Sequence, residues 1–280
     1  MCRMLVIMES KPRLDKHLRS RLYDSLVKAA RMDPYSVALF GEGEESHGDG
    51  WGFLSLRIGG RGAEGYMLYR STRPIFEDDL PLGYQSGDGL GVEILHARAA
   101  STGMPVNIFS VHPVEAQSPE GYKLFLAHNG SMDKEGLARA VGAGVHEKSL
   151  YNDSYFLARF LAMRSEDIAS GRALEEAVGY TRTAMNIALL LLSPRERLLV
   201  VGSYYKVGDK PVERRNYYKL YVGRGEGAII YASSTIVDYY NPAPGLIDWA
   251  ELPNGAFDVY SIKEGGVDYE RRLYIGGGND

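Results

Sequence analysis

The chain contains a single cysteine, Cys2, which follows Met1 directly. If Met1 is removed, one residue carries both a thiol and a free α-amine. The amine has a reference pKa of about 7.7–8.0, so it can accept a proton near neutral pH. Such a residue combines a nucleophile with its own base, as N-terminal nucleophiles require. A cysteine can also follow the initiator methionine without any function, so the rest of the sequence has to support this hypothesis.

Three other positions carry side chains suited to binding a small polar substrate. Arg98 lies among small residues after an apolar run, where its planar guanidinium suits a carboxylate, although a partly buried ion pair is the alternative. Asn129 and Gly130 end another apolar run and could form an oxyanion hole, although Asn-Gly is also a common turn pair. Asp153 either belongs to the start of a helix or accepts hydrogen bonds from a ligand ammonium group.

Two glycine-rich blocks permit different interpretations. In the block 46–53, Trp51 either contacts a substrate or fills the core beside an Asp-Gly turn. The string from Gly60 to Gly65 matches the dinucleotide-binding fingerprint, but a strand-like run follows it where that motif needs a helix. We therefore predict a hairpin turn at this string.

No metal centre or cofactor site is predicted. The histidines outside the basic N-terminal segment are scattered, without a cysteine partner or helical spacing. They are His47, His96, His112, His128 and His146.

The order of predicted elements indicates the fold class. Residues 2–8 form an apolar run typical of a buried strand, and residues 12–32 show helical leucine spacing with a basic face, solvated or available to a partner. Strand-like runs fill 51–130, helical patterns fill 131–185, and strands return after residue 186. This order is not an alternating βαβ series, so it predicts an α+β protein with largely antiparallel sheets. The predicted late strands are 187–193, 197–205, 217–223, 227–236, 256–262 and 269–275.

Composition limits the function classes. The 280 residues are 45% hydrophobic and 24% charged, with a formal net charge of −4, which argues against a nucleic-acid or anionic-membrane surface. One cysteine cannot form an internal disulfide, and the apolar runs are too short to span a membrane. We therefore expect a cytoplasmic protein with one domain, 1–280. Its core should cover 2–260, and 276–280 should form a flexible tail.

In combination, these blocks resemble the class-II glutamine amidotransferases of the N-terminal-nucleophile hydrolase superfamily, in particular their free-standing type. The resemblance runs from Cys2 to about Tyr260. The motifs that carry it are Met1-Cys2-Arg3, Asp49-Gly50-Trp51-Gly52, Tyr69-Arg70-Ser71 with Pro74, the run from His96 to Gly103, His112-Pro113, His128-Asn129-Gly130, the run from Tyr231 to Ser234, Trp249 and Pro253.

The resemblance implies a four-layer αββα sandwich, with two mainly antiparallel sheets between helical layers. It also implies that Cys2 attacks the side-chain amide of glutamine while Asn129 and Gly130 hold the oxyanion. Arg98 would bind the α-carboxylate and Asp153 the α-ammonium group of the substrate. The remaining pocket residues would be Ser101, Thr102 and, from the glycine-rich block, Trp51.

Three positions depart from the family pattern. Ala99 replaces an aromatic residue of the larger relatives, Tyr155 replaces a frequent glutamate, and Val114 replaces the usual phenylalanine. The leading hypothesis is an amidotransferase subunit that releases glutamate, with ammonia for a separate acceptor synthetase. The alternative is a γ-glutamyl amide hydrolase for a peptide or small metabolite, which a widened pocket would suit. A catalytically silent scaffold is disfavoured because all the expected site residues are present together.

Overall fold

The structure, a computed structural model, describes residues 2–9, 14–59, 64–79, 90–194, 196–225, 227–241, 246–264 and 266–277. The strands are β1 (Arg3–Glu9), β2 (Trp51–Ile58), β3 (Glu64–Ser71), β4 (Leu90–Ala97), β5 (Val114–Gln117), β6 (Lys123–Asn129), β7 (Asn186–Leu192), β8 (Arg197–Ser203), β9 (Leu220–Gly225), β10 (Ala228–Ser233), β11 (Ile247–Glu251), β12 (Ala256–Lys263) and β13 (Gly266–Tyr274). The helices are α1 (Lys16–Arg31), α2 (Pro34–Phe40), α3 (Lys134–Ala140), α4 (Val145–Leu150), α5 (Asp153–Ala162), α6 (Arg172–Val178), α7 (Pro211–Tyr218) and α8 (Ser234–Tyr240). Within these ranges, no helix combines the length and apolar character needed to cross a membrane.

Two antiparallel sheets form the centre of the fold. The first has the strand order β11-β9-β10-β1-β4-β2-β3, and the second has the order β13-β12-β8-β7-β6-β5. Strand β1 lies in the middle of the first sheet, between β10 and β4. The N-terminal residues are therefore held on both sides by backbone hydrogen bonds.

Alternation of side chains along β1 shows how the layers stack. Leu5 and Ile7 pack against α1 and α8, whereas Met4 and Val6 belong to a cluster shared with the second sheet. The opposite face of the second sheet packs against α3, α5 and α6. The order of layers is thus helices, sheet, sheet and helices. Successive side chains of a strand point to opposite faces of its sheet, so each buried strand contacts a helical layer on one side and the other sheet on the other side. This architecture confirms the predicted α+β sandwich.

Several element boundaries differ from the sequence predictions. The predicted strand 217–223 is split, because Tyr217 and Tyr218 end helix α7 and the strand starts at Leu220. The predicted strand 227–236 becomes helix α8 after Ser233. Aromatic and β-branched residues favour strands only weakly, and burial of these tyrosines against neighbouring elements decides their conformation.

Two further predictions concern the glycine-rich string from Gly60 to Gly65 and the C-terminal end of the core. Residues 60–63 of the glycine-rich string are not described, but β2 and β3 on either side of it pair as antiparallel neighbours. The second sheet continues past residue 260, because β13 pairs with β12 up to Tyr274. Within the predicted tail, the Gly276 amide donates a hydrogen bond to Glu175 Oε2 at 3.0 Å.

Helix α1 is not simply a solvated basic helix. Its Arg19 is buried and donates from Nη1 to Glu93 on β4 at 2.9 Å, and it also pairs with Glu9. Arg57 on β2 pairs with the same two carboxylates. Burial opposes ionisation of Glu9, but the two guanidinium groups outweigh it and lower the pKa of this carboxyl. Two positive and two negative charges therefore balance each other beneath α1.

Loss of one member of this cluster should destabilise the fold strongly. Arg19→Met leaves two buried carboxylates with one remaining guanidinium, and we expect it to lower the free energy of unfolding by about 3–5 kcal/mol. The matched control is Arg172→Met, which breaks the exposed pair with Asp167 and should change stability by at most about 1 kcal/mol. Urea unfolding followed by circular dichroism measures both. Equal effects of the two changes would contradict a structural role for the buried cluster.

Candidate active site

Cys2 lies where the two sheets meet. It precedes β1 and, by the strand's alternation, lies on the same side as Met4, towards the second sheet. Its backbone N–H donates to Asn129 Oδ1 at 3.2 Å, and its thiol is 3.7 Å from the carbonyl oxygen of Ala99. Only 6% of the residue is exposed. The thiol is thus held in a shielded position at one end of both sheets.

Asn129 and Gly130 lie directly beside Cys2. Because Asn129 Oδ1 accepts from the Cys2 amide, its Nδ2 donor points elsewhere, and this buried atom has no partner among the described residues. Gly130 has φ +145°, and a Cβ there would lie 1.9 Å from the carbonyl oxygen of Ala184. Only glycine fits that position. The residue that binds the Cys2 amide thus keeps an unused amide donor, the kind of group that an oxyanion site needs.

Arg98 follows β4 and is held by the glycine-rich block. Its backbone N–H donates to Gly50 O and its carbonyl accepts from Asp49 N, both at 2.8 Å. Its Nη2 donates to Pro105 O at 2.9 Å, whereas buried Nη1 has no partner among the described residues. The Asp49 carboxylate also accepts from the Ala100 amide at 2.7 Å. The guanidinium is therefore positioned by two loops and keeps a free donor.

Asp153 is the first residue of α5, and its neighbour Asn152 is the N-cap. Asn152 Oδ1 accepts from Tyr155 N at 3.0 Å, as a capping side chain does. Asp153 Oδ2 accepts from Met132 N at 2.7 Å, and Oδ1 accepts from its own neighbour Ser154 N at 2.9 Å. Each carboxylate oxygen can accept a second hydrogen bond. The carboxylate thus joins α5 to the chain just after Gly130.

The remaining predicted pocket residues are Trp51, Ser101 and Thr102. Trp51 packs with Tyr69 in the cluster between the first sheet and its helices, and its indole N–H donates to Asp78 at 2.9 Å. Its side chain lies on the face of the first sheet that is turned away from the second sheet, and its substrate role stays a prediction. Thr102 is exposed and Ser101 half-buried in the loop after Arg98. No side-chain hydrogen bond in the described chain links either residue to Cys2, and their substrate role stays a prediction.

A group of buried histidines was missed by the sequence predictions. His96 Nε2 lies 3.1 Å from both His128 O and His112 Nδ1, and His128 Nδ1 lies 2.8 Å from Ser154 Oγ. Ligand atoms of Cys2, His96 and His112 all lie within 4.8 Å of one another. These histidines are far apart in sequence, but each lies at or just beyond a strand end. Strand-end position, rather than spacing, is the signal that could have found them.

Burial keeps these imidazoles neutral near pH 7. It lowers the pKa of His96 to about 3, with nearby positive groups adding to the effect, and it lowers those of His112 and His128 as well. The pKa of His47 falls to about 4, although its hydrogen bond to Asp33 opposes that shift. The site therefore holds neutral imidazoles, each of which offers one hydrogen-bond donor and one acceptor.

A cavity of about 390 Å³ opens close to these residues. Its wall includes Tyr151 and Tyr155, stacked at 3.7 Å, and Phe109 packs on Tyr151. Tyr155 lies in the first turn of α5 beside Asp153. Arg70 on β3 and Val114 on β5 also line it. The cavity combines flat aromatic surfaces with the guanidinium groups of Arg70 and Arg159 and the carboxylate of Glu115.

Comparison with known proteins gives structural relatives only. No family model matches the chain, and no relative is found among curated proteins. The solved structures that align with it include glutamine phosphoribosylpyrophosphate (PRPP) amidotransferase from B. subtilis complexed with ADP and GMP, and the allosteric regulatory enzyme of purine biosynthesis. Each has 17% sequence identity and a TM-score of 0.57, and covers 96% of this chain and 49% of the solved chain. The chain therefore shares its fold with these solved structures. The chain spans about half the length of these solved proteins.

The buried imidazoles should make stability depend on pH. Unfolded histidine has a pKa near 6.5, so between about pH 6.5 and 4 the unfolded chain binds protons that folded His96 and His47 do not. The free energy of unfolding should therefore fall as pH decreases, by up to about 1.4 kcal/mol per pH unit for each histidine. Denaturant unfolding at several pH values between 7 and 4 measures this slope.

The His47→Gln variant should have a shallower slope over the same range, because it removes one of these titrations. Replacement of the exposed His146 by Gln is the matched control and should leave the slope unchanged. A slope insensitive to both changes would show that other groups dominate the acid response.

Proposed function

We propose that this chain hydrolyses the side-chain amide of glutamine through an N-terminal cysteine thioester. The proposal rests chiefly on one observation: the Cys2 amide donates to Asn129 Oδ1, and the buried Nδ2 donor of the same Asn129 side chain has no partner among the described residues. The likeness of fold to a glutamine PRPP amidotransferase supports the choice of substrate. The proposal requires removal of Met1, because only then is the Cys2 nitrogen a basic amine.

The first half of the reaction acylates Cys2. The thiol proton passes to the α-amine, directly or through a water, and Sγ forms a bond to the amide carbon. The carbonyl oxygen becomes an oxyanion that accepts from Asn129 Nδ2 and from the Gly130 backbone N–H. Removal of one such donor costs about 10²–10³ in kcat in other enzymes. The C–N bond then breaks, the α-ammonium group of Cys2 returns the proton to the leaving nitrogen, and ammonia departs.

The second half releases glutamate. A water attacks the thioester carbon and gives a proton to the α-amine of Cys2. The C–S bond then breaks, and this proton returns to Sγ to restore the thiol. Arg98 would hold the α-carboxylate through its free Nη1 donor, and Asp153 would accept from the α-ammonium group of the substrate. A separate synthetase would use the ammonia. Such a partner matches the amidotransferase activity named for the solved relative, but it is part of the proposal for this chain.

Covalent labelling tests the nucleophile. We expect the purified protein to have a mass that lacks Met1 and to gain one adduct with a diazo-ketone analogue of glutamine, since the chain has one cysteine. Intact mass spectrometry with and without the analogue measures both. Cys2→Ser should lose the adduct and glutamate release together.

The matched control for this experiment is Ser170→Ala, which removes an exposed hydroxyl before α6 and should still be labelled. Retained Met1, or full glutaminase activity of a Cys2→Ala variant, would defeat the proposed mechanism.

A second candidate function is hydrolysis of a γ-glutamyl amide with a larger leaving group. The observation that favours it is the cavity of about 390 Å³ lined by Arg70, Tyr151 and Tyr155, since release of ammonia requires no such space. Two of the three departures from the amidotransferase pattern, Val114 and Tyr155, line this same cavity. Among the described residues, the Arg70 guanidinium has no side-chain partner and could receive an anionic group.

Substrate comparison separates the two functions. If the cavity receives the leaving group, Arg70→Met should lower kcat/KM for γ-glutamyl amides with an acidic leaving group at least tenfold but leave glutamine hydrolysis within about twofold, because a charge-assisted hydrogen bond contributes about 1.5–3 kcal/mol. Glutamate release from γ-glutamyl-glutamate and from glutamine measures this. The matched control is Arg139→Met, a cavity-remote exposed arginine of α3. An equal loss of kcat/KM for both substrates would show that Arg70 supports the structure of the protein and does not bind the leaving group.

A further inference from the structure

Cys2, His96 and His112 form a compact sulfur and nitrogen donor set. Their ligand atoms lie within 4.8 Å of one another, and all three residues are buried. In a tetrahedral zinc site, bonds of about 2.3 Å to sulfur and about 2.0–2.1 Å to nitrogen hold the ligand atoms about 3.3–3.6 Å apart. Side-chain rotations that shorten the longest separation by about 1 Å are therefore enough to close the site. The proposed reaction uses only Cys2 of this set, so the two imidazoles remain unexplained by it.

Hydrogen bonding within the cluster is incomplete. A carbonyl oxygen only accepts, so the 3.1 Å contact of His96 Nε2 with His128 O places the proton on Nε2. His96 Nδ1 then keeps a lone pair, and this buried atom has no partner among the described residues. His112 Nδ1 also lies 3.1 Å from His96 Nε2, whose one proton is directed at the His128 carbonyl oxygen, and His112 Nε2 lies 3.4 Å from Asn152 Nδ2. An unpartnered buried nitrogen lone pair indicates a site that can take a ligand.

The donor types select the class of ligand. A thiolate with two imidazoles suits Zn²⁺ and other borderline or soft transition metals, whereas Mg²⁺ and Ca²⁺ prefer oxygen donors. Three protein ligands leave one coordination position for water. Arg98 lies close enough to lower the pKa values of both imidazoles, and this positive charge weakens the binding of a cation. The expected affinity is therefore below that of a closed structural zinc site.

We propose that Cys2, His96 and His112 form a reversible Zn²⁺ site that withdraws the thiol from covalent chemistry. On binding, the thiol releases its proton to solvent, Sγ and one nitrogen of each imidazole donate lone pairs, and the ion loses bound waters. No oxidation or reduction takes place. The metal site stands on geometry alone, and only its inhibitory consequence depends on the proposed function.

Co²⁺ is a suitable spectroscopic probe. Titration of the full chain with Co²⁺ should produce a sulfur-to-metal charge-transfer band and the visible bands of a tetrahedral ion, saturating at one equivalent and bleached by Zn²⁺. Zn²⁺ should also protect Cys2 from iodoacetamide, and because the chain has one cysteine the alkylated mass reports on this residue alone. Neither readout requires enzyme activity.

Three variants and one control assign the ligands. Cys2→Ser should lose the charge-transfer band, and His96→Gln and His112→Gln should each weaken Zn²⁺ binding by at least about tenfold, as even loss of a supporting residue does at metal sites. The His146→Gln control, at an exposed histidine of α4, should bind Zn²⁺ like the wild type. Circular dichroism melting curves show whether each variant is folded. If one of the buried-histidine variants is unfolded, the Cys2→Ser result and alkylation protection in the wild type still show whether Zn²⁺ binds at Cys2.

The possible outcomes separate this site from the proposed reaction. Absence of the one-equivalent sulfur band, or unchanged Zn²⁺ affinity in folded His96→Gln and His112→Gln, would overturn the metal site even if the glutamine analogue labels Cys2. Stoichiometric Zn²⁺ binding without any glutaminase activity would support the metal site and defeat the proposed function. Zn²⁺ binding together with loss of labelling by the analogue supports both.

Discussion

The buried ion pair between Arg3 and Asp33 fixes the residue next to the candidate nucleophile. Both side chains are fully buried, and burial would raise the pKa of Asp33, but Arg3 and the hydrogen bonds from His47 and Thr235 hold it well below its usual range. The Arg3 guanidinium also lies 4.1 Å from the centre of the Tyr217 ring. Removal of either charge would leave the other unpaired in the interior. One interaction thus joins the start of β1 to α2, α7 and α8.

Further hydrogen bonds connect this ion pair to the candidate active site. His47, which binds Asp33, precedes Asp49 and Gly50, and these residues hold the backbone of Arg98 by two hydrogen bonds. On the other side, the Cys2 amide binds Asn129 across the gap between the sheets. Cys2, Arg98 and Asn129 are therefore positioned by hydrogen bonds to residues at the ends of strands and in the adjoining loops. Such preorganisation is what electrostatic stabilisation of an oxyanion needs.

Burial gives this site two chemical possibilities. The same shielded sheet edge that positions the Cys2 thiol also gathers His96, His112 and His128 in neutral form. Neutral imidazoles are good hydrogen-bond partners and good metal ligands, whereas charged ones are not metal ligands. The proposed hydrolysis and the proposed zinc site therefore draw on one physical feature, which is removal of these groups from water. The cavity lined by Tyr155 includes none of these histidines in its wall, and under the second proposed function it receives the leaving group.

Much of this was determined by the sequence alone. Periodicity gave the α+β class and most strands, and the local motifs around Arg98, Asn129 and Asp153 identified positions that the structure places at strand or helix ends. Properties that depend on contacts between distant segments were decided only in three dimensions. Trp51 fits a pocket or a core position equally well until the sheet face is known, and the histidines look scattered because His96, His112 and His128 follow each other at intervals of 16 positions, without a motif. Side-chain direction, burial and hydrogen-bond satisfaction arise from the packing of two sheets, and local sequence patterns carry no information about which distant groups that packing brings together.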